Sequence, residues 1–402
     1  MKNDNIVIVS AKRTPIGSFQ GDLSDLNATH LGSNVVKKNL EETNLEPGKI
    51  DEVIMGCVLP AGLGQAPARQ VGIGANIPAK VGATTINKMC GSGMKAIMLG
   101  FDSIVSGSNK IVVCGGIESM SNAPYLLLKV RKGLRMGHNQ VKDHMFLDGL
   151  EDAYDEGKLM GSFAEDTAEH YQFTREQQDN FSIESLEKAK NANEKGFFKD
   201  EIVPLVLSTK KKTKVIDKDE QPFKANIDKI PHLRPAFRKN GTVTAANSSS
   251  ISDGASSVII MKESLALEQG IKPLAKIITH STNSHEPNWF TTAPIGAIKK
   301  VLEKSKWQLK DVDLLEVNEA FAVVPMAVMK ELNIPRSILN INGGACALGH
   351  PVGASGSRII ATLIYNLKNN NLKKGIASLC IGGGEATAIA LELIDWNQWI
   401  QI

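Results

Sequence analysis

Cysteine is scarce in this 402-residue chain, which holds only Cys57, Cys90, Cys114, Cys346 and Cys380. They are odd in number and form no C-x-x-C pair, which excludes a disulfide framework and argues against a zinc site. No metal is expected. Aromatic residues are few, at 5%, and no basic patch is rich in them. Net charge is only +3, from 46 basic and 43 acidic residues, so nothing points to a nucleic-acid partner. No uninterrupted apolar run reaches membrane-spanning length, so no membrane association is expected. No charged-then-apolar leader precedes the first strand-like run, Ile6 to Ser10. The expectation is a soluble cytoplasmic protein. Its 42% hydrophobic and 22% charged residues allow a sizeable core, and its length allows about two or three domains.

What is present centres on Ala83 to Met120. The spacing predicts a strand (Ala83 to Asn87), an abrupt turn, an apolar helix (Ser92 to Val105) and a second strand (Lys110 to Cys114). Cys90 sits at the turn, followed by Gly91, Ser92 and Gly93, small residues that permit a sharp bend and close approach. A cysteine at a helix N-terminus meets the positive end of the helix dipole, which favours the thiolate. Met94, Ala96, Ile97, Met98, Leu99, Phe101, Ile104 and Val105 surround the helix on most sides, so it should be covered all round, as in a layer between two others.

Helical periodicity runs from Asn27 to Thr43, and strands are expected at Ile50 to Val58 and Asp253 to Ile260. Ala11 to Gly17 reads as loop. From Ser121 to about Asn247 apolar strands thin out and charge rises, with amphipathic helix over Asp166 to Asn193, so this stretch reads as an insertion. Its run Lys210 to Lys212 with Lys214 suits a solvated face or an anionic ligand tail. The last third repeats the first. Val312 to Asn318 echoes Ile50 to Gly56, and Ile341-Asn342 echoes Ile86-Asn87. Each is followed by a Gly- and Cys-bearing turn, an apolar helix (Gly353 to Leu367 in the second case), and a strand ending Cys114-Gly-Gly or Cys380-Ile-Gly-Gly-Gly. The pattern predicts two duplicated α/β halves.

Three loops of the second half are chemically loaded: Val317 to Phe321 with Asn318, Asn342 to Gly356 with His350, and Leu379 to Ala386 with Cys380. In open α/β sheets ligands gather at such strand ends. Under pseudo-twofold symmetry these loops can converge on Cys90. There His350 can withdraw the thiol proton. A second cysteine with a lowered pKa can act as acid and base. Backbone N–H groups, the imidazole or a water held by Asn318 can stabilise an enolate oxygen. Such parts suit Claisen chemistry on thioesters.

Four motifs, Asn-Lys-Met-Cys90-Gly-Ser-Gly, Asn318-Glu-Ala-Phe-Ala, Gly-His350-Pro-Val-Gly-Ala-Ser-Gly and Cys380-Ile-Gly-Gly-Gly-Glu-Ala, resemble the active-site motifs of the thiolase family. Ser10 to Gly17, Pro67 to Gln70, Gly115 to Met120 and Gly241 to Ala245 agree. The resemblance covers essentially the whole chain. It implies an α/β thiolase-like fold of five layers, αβαβα, with two duplicated halves and an inserted loop domain. The expected division is 1–120 plus 248–271, an insertion over 121–247 that binds coenzyme A, and 272–402. It implies acyl transfer through Cys90, activated by His350, with Cys380 exchanging the α-carbon proton. Asn318 would hold an oxyanion-hole water beside His350, and the N–H groups of Cys90 and Gly382 would form a second oxyanion hole. Ser249 is carried over as a pantetheine contact, with Leu150, Met160, Phe237, Ala245, Ala320 and Phe321 lining the tunnel. Leu159, Phe290 and Phe223 depart from the pattern of acetoacetyl-CoA-type members, where histidine, methionine and arginine are frequent.

The expected reaction is reversible condensation of two acetyl-CoA to acetoacetyl-CoA and CoA. Acyl-CoA serves as substrate, coenzyme A as product, and no cofactor is bound permanently. Thiolysis of longer 3-ketoacyl-CoA is the alternative. A non-enzymatic acyl-CoA or lipid carrier is the reading from another class, and a decarboxylative ketoacyl synthase would want a second histidine where Asn318 stands. The resemblance also suggests a homodimer or homotetramer.

Overall fold

In the computed structural model, residues 4–208 and 213–394 are described. The basic run expected at Lys210 to Lys212 lies outside them, while Lys214 pairs with Asp22 at 2.6 Å. The first half contributes β1 (Ile6–Arg13), α1 (Ala28–Thr43), β2 (Glu52–Gly56), α2 (Pro67–Gly74), β3 (Gly82–Ile86), α3 (Ser92–Val105) and β4 (Ile111–Ser119). After α4 (Met160–Tyr171) and α5 (Arg175–Glu194), the chain returns as β5 (Ser252–Lys262). The second half follows with β6 (Ala275–Ser284), α6 (Ala293–Ser305), β7 (Leu314–Val317), α7 (Val323–Leu332), α8 (Val352–Asn369), β8 (Lys374–Ile381) and β9 (Glu385–Leu393). No helix among the described residues is long and apolar enough to cross a membrane.

The strands run β7-β8-β9-β6-β1-β5-β4-β2-β3. Two antiparallel pairings and then a parallel one lead outward from β1 (β5, β4, β2), and the same sequence leads outward from β6 (β9, β8, β7). The halves meet where β1 pairs antiparallel with β6 through Val7 with Lys276 and Ile8 with Ala275. A register shift falls between Ile8 and Ser10 in β1 and between Ile277 and Thr279 in β6. Equivalent kinks in equivalent strands are what a duplicated unit should carry. The duplication is not complete. Ile86 ends a strand, but Ile341 lies in a turn, and only a bridge from Leu339 to Leu315 stands where β3 stands in the first half.

Alternation along β1 sorts the layers. Val7 and Val9 join the core under α1 and α2, while Ile6 and Ile8 face α3 and α8. On the far side Ala386, Ala388 and Ala390 of β9 pack against α6 and α7. The result is five layers with α3 and α8 in the middle. Every residue of α8 from Val352 to Leu367 is buried, as the apolar surround of its sequence requires. Glycines let the two middle helices touch backbone to backbone. A Cβ on Gly93 would stand 2.8 Å from Ser357 N and 3.0 Å from Gly353 O. The strand expected at Ile6 to Ser10 continues to Arg13, so much of the expected Ala11 to Gly17 loop is ladder. Paired with β5 across that span, the segment has its backbone groups satisfied by the sheet, and its polar side chains are buried through ion pairs.

Candidate active site

α3 and α8 cross at their N-terminal ends, so the turns that precede them, carrying Cys90 and His350, are neighbours. Side chains lock the first turn. Asn87 Oδ1 accepts the Met89 N–H at 2.9 Å. Ser92 Oγ accepts the Lys88 N–H at 2.8 Å and donates to the Met89 carbonyl at 2.7 Å. Met89 is held at φ 46°, a left-handed conformation costly for a methionine and tolerated where surrounding bonds over-determine it. Cys90 is thereby presented half-buried to a cavity. Burial pushes its thiol up to about 11, against the opposing pull of the Gly382 N–H and its own N–H. This corrects the expectation of a ready thiolate. Desolvation of the charged form outweighs those two N–H groups.

His350 donates its backbone N–H to Ser250 O at 3.1 Å. Its Nδ1 lies 2.6 Å from Ser355 Oγ, one turn along α8. Its Nε2 has no hydrogen-bond partner among the described residues. Burial, and then the Arg358 guanidinium, lower the imidazole to about 3, so the ring is neutral at ordinary pH. Asn318 is buried behind it, with Nδ2 3.5 Å from His350 Nδ1 and Oδ1 accepting from Arg358 Nη2 at 3.3 Å.

Cys380 is fully buried near the end of β8. Its thiol is raised well above the ordinary value by burial and then by charge on Cys90. The expectation of a lowered pKa is corrected here too, because no cation offsets the desolvation. Gly382 opens the turn between β8 and β9. Its N–H acts on the Cys90 sulfur, as does the N–H of Cys90 itself.

The cavity measures about 420 Å³ and is mainly apolar. Cys90, His350 and Gly382 line it, as do Ser249, Leu150, Met160, Phe237, Ala245, Ala320 and Phe321. Cys380 and Asn318 do not; they stand behind the wall. Ser249 donates its N–H to Ala320 O at 2.9 Å, and Ala322 donates to Asn247 O at 2.9 Å, so the stretch from Asn247 to Ser249 is stitched to the Asn318 loop. Phe237 meets Phe321 edge-to-face at 6.0 Å and Phe321 meets Phe290 at 6.5 Å. The Phe237 ring lies where a Cβ on Gly161 would be. A second cavity of about 310 Å³ shares Gln221, Ala245 and Ser250 with the first and adds Lys224 and Lys229.

Two residues of the quoted motifs, Ser355 and Glu118, and Arg358 just past one of them received no role from sequence reasoning. Ser355 braces the imidazole, and its place in the first turn of the helix that follows His350 was the available signal. Arg358 lies beyond it. Glu118 accepts the N–H groups of Val58, Leu59 and Gly353 at 3.0, 3.1 and 2.9 Å. It thus ties the start of α8 to the first half. Burial raises its carboxyl to about 7.

Comparison with known proteins fits this architecture. Residues 6–264 match the family model described as the thiolase N-terminal domain, and 271–393 match the thiolase C-terminal domain. The chain is 50% identical over 391 residues to a probable acetyl-CoA acetyltransferase of Dictyostelium discoideum, covering 97% of this chain and 94% of that one. It is 48% identical over 393 residues to acetyl-CoA acetyltransferase 2 of Arabidopsis thaliana, covering 97% of each. The acetyl-CoA acetyltransferase structure of Bacillus anthracis superposes with a TM-score of 0.94 at 41% identity, covering 97% of this chain and 99% of that one. Acat5 thiolase of Ascaris suum, solved with coenzyme A, gives 0.92 at 42% identity, covering 97% and 100%.

Proposed function

The chain belongs to the thiolase family, and we propose that Cys90, His350, Cys380, Asn318 and Gly382 carry its chemistry through an acetyl-Cys90 intermediate. The reaction is the reversible condensation of two acetyl-CoA to acetoacetyl-CoA and CoA, an acetyltransferase activity. The observation that supports this residue assignment is the meeting of Cys90, His350 and Gly382 on one apolar cavity, with Cys380 directly behind.

A thiol raised to about 11 facing a neutral imidazole does not form a resting ion pair. The Cys90 proton therefore moves to His350 Nε2 as the sulfur attacks the acetyl-CoA carbonyl. The Cys90 and Gly382 N–H groups receive the oxyanion. The carbon–sulfur bond to CoA breaks, and CoA leaves with the Cys380 proton. The site then holds acetyl-Cys90, an imidazolium and a Cys380 thiolate. Burial makes that thiolate a strong base, fit to take the α-carbon proton of the second acetyl-CoA. The Nε2–H, with a water held by Asn318, stabilises the enolate oxygen. The enolate attacks acetyl-Cys90, Cys90 departs as thiolate, and His350 returns its proton.

Ser249, Leu150, Met160, Phe237, Ala245, Ala320 and Phe321 would hold the acyl and pantetheine portions. In this reading 121–247 is the coenzyme A domain, between halves 1–120 plus 248–271 and 272–402. Lys224 and Lys229 of the adjoining cavity suit the phosphates. The five cysteines, unpaired in the structure, suit the reducing cytoplasm. A homodimer or homotetramer and a place in lipid metabolism complete the proposal. The test is intact-mass measurement after mixing with acetyl-CoA. One acetyl group localised to Cys90 is expected, together with acetoacetyl-CoA turnover faster than that of longer 3-ketoacyl-CoA substrates. Absence of acetyl on Cys90 would refute it.

A further inference from the structure

The two N–H groups that face the Cys90 sulfur come from different halves of the molecule. Cys90 sits in the turn before α3, and Gly382 in the three-glycine turn between β8 and β9. That second turn is intrinsically soft, with Gly383 at φ 92° and Gly384 at φ 88°, backbone that loses much entropy on ordering. Two contacts hold its flanks against the nucleophile turn. Ile381 Cδ1 presses on Gly91, where a Cβ would collide with it. Lys88 Nζ meets Glu385 Oε2 at 2.6 Å.

The ion pair is built into both turns. The Lys88 backbone N–H goes to Ser92 Oγ at 2.8 Å, and its carbonyl accepts the Gly91 N–H at 3.0 Å. A pull on its side chain is therefore transmitted to Cys90. Glu385 is the first residue of β9, paired in register with Ile381 and with Ser284. Its other carboxylate oxygen accepts from Ser284 Oγ at 3.0 Å. Neither Lys88 nor Glu385 lines the cavity.

We propose that the Lys88–Glu385 ion pair is a positioning clamp that fixes the Gly382 N–H relative to the Cys90 N–H, and so sets the geometry of the oxyanion site. This rests on the reading of Cys90 as the acylated residue. The side chains are 21% and 31% exposed, so the clamp is worth about a three- to fivefold rate effect, the scale of a partly exposed pair.

A double-mutant cycle with Lys88→Met, Glu385→Gln and the double variant tests it, reading kcat, KM for acetyl-CoA, and Tm. Each single variant is expected to lose about three- to fivefold in kcat with KM within about twofold. The double variant should be no slower than the slower single one. The charge-reversed pair, Lys88→Glu with Glu385→Lys, should recover most of the loss. Additive losses, unchanged kcat, or a rate loss present only where Tm falls would overturn the clamp. If instead the unaltered enzyme shows no acetyl on Cys90, the function assignment fails and not the clamp alone.

Discussion

Gly93→Ala puts the meeting of Cys90 and His350 to a direct test. The added Cβ would stand 2.8 Å from Ser357 N and 3.0 Å from Gly353 O, both backbone atoms of α8. Backbone cannot rotate aside, so α3 and α8 must part by roughly 0.5–1 Å to reach ordinary contact near 3.5 Å. Overpacking of this kind costs about 1–3 kcal/mol, which for a chain this long lowers Tm by about 1–4 °C. The functional loss should be larger in proportion. Each helix carries one of the two turns at its N-terminus, and a displacement near 1 Å costs roughly 10²-fold in rate. Acetylation of Cys90, followed by rapid quench and intact mass, should therefore slow by about tenfold or more. Gly375→Ala is the control. Its Cβ would press on Leu363 Cδ1 at 2.7 Å, a flexible side chain further along α8, and it should shift Tm without comparable slowing. Wild-type acetylation in Gly93→Ala would refute the claim that this crossing sets the sulfur–imidazole distance.

Further outcomes follow from the same geometry. Because burial raises the Cys90 thiol to about 11, its alkylation by iodoacetamide in the free enzyme should rise about tenfold per pH unit through pH 9; a plateau near pH 8 would contradict this. Cys380→Ser should still form acetyl-Cys90 yet lose condensation by about 10²–10⁴-fold, read as acetyl-enzyme that accumulates without acetoacetyl-CoA; normal condensation would remove Cys380 from the mechanism. His350 is buried neutral, its folded pKa depressed to about 3 from 6.5. The unfolded chain binds more protons between those values, so this residue's contribution to stability is present above about pH 6.5 and is lost as pH falls towards 3. Denaturant titrations should show a shallower acid loss in His350→Asn than in the unaltered protein, and equal slopes would show that His350 does not titrate in this way.

The architecture was legible because its signals are local. The apolar surround of Ser92 to Val105 marked a covered helix; the helix spans those residues and is largely buried over its first half, but it is not covered all round, since Val105 at its end is 62% exposed. Small residues after Cys90 marked the turn, and recurring landmarks marked a second half whose strand order repeats the first. Cavity contacts such as Phe237 and Leu150 came only through family likeness, since neither lies in a patterned segment. The incomplete echo at Ile341 was illegible because an isolated bridge and a strand end can share the same two residues.

Residue types and their order determined the alternating α/β halves, the glycine turns and the identity of the reactive side chains, since periodicity and steric freedom act within a few residues. Protonation states were decided by the tertiary structure alone. Position at a helix start favours a thiolate at Cys90, but the layers packed around it remove water, and desolvation reverses the sign. Cys380 and His350 depend on the same packing: burial and then charge on Cys90, from the other half, raise the thiol, and burial and then Arg358 lower the imidazole. So does the apposition of Lys88 with Glu385, 297 residues apart, which exists only because two halves of the molecule close against each other.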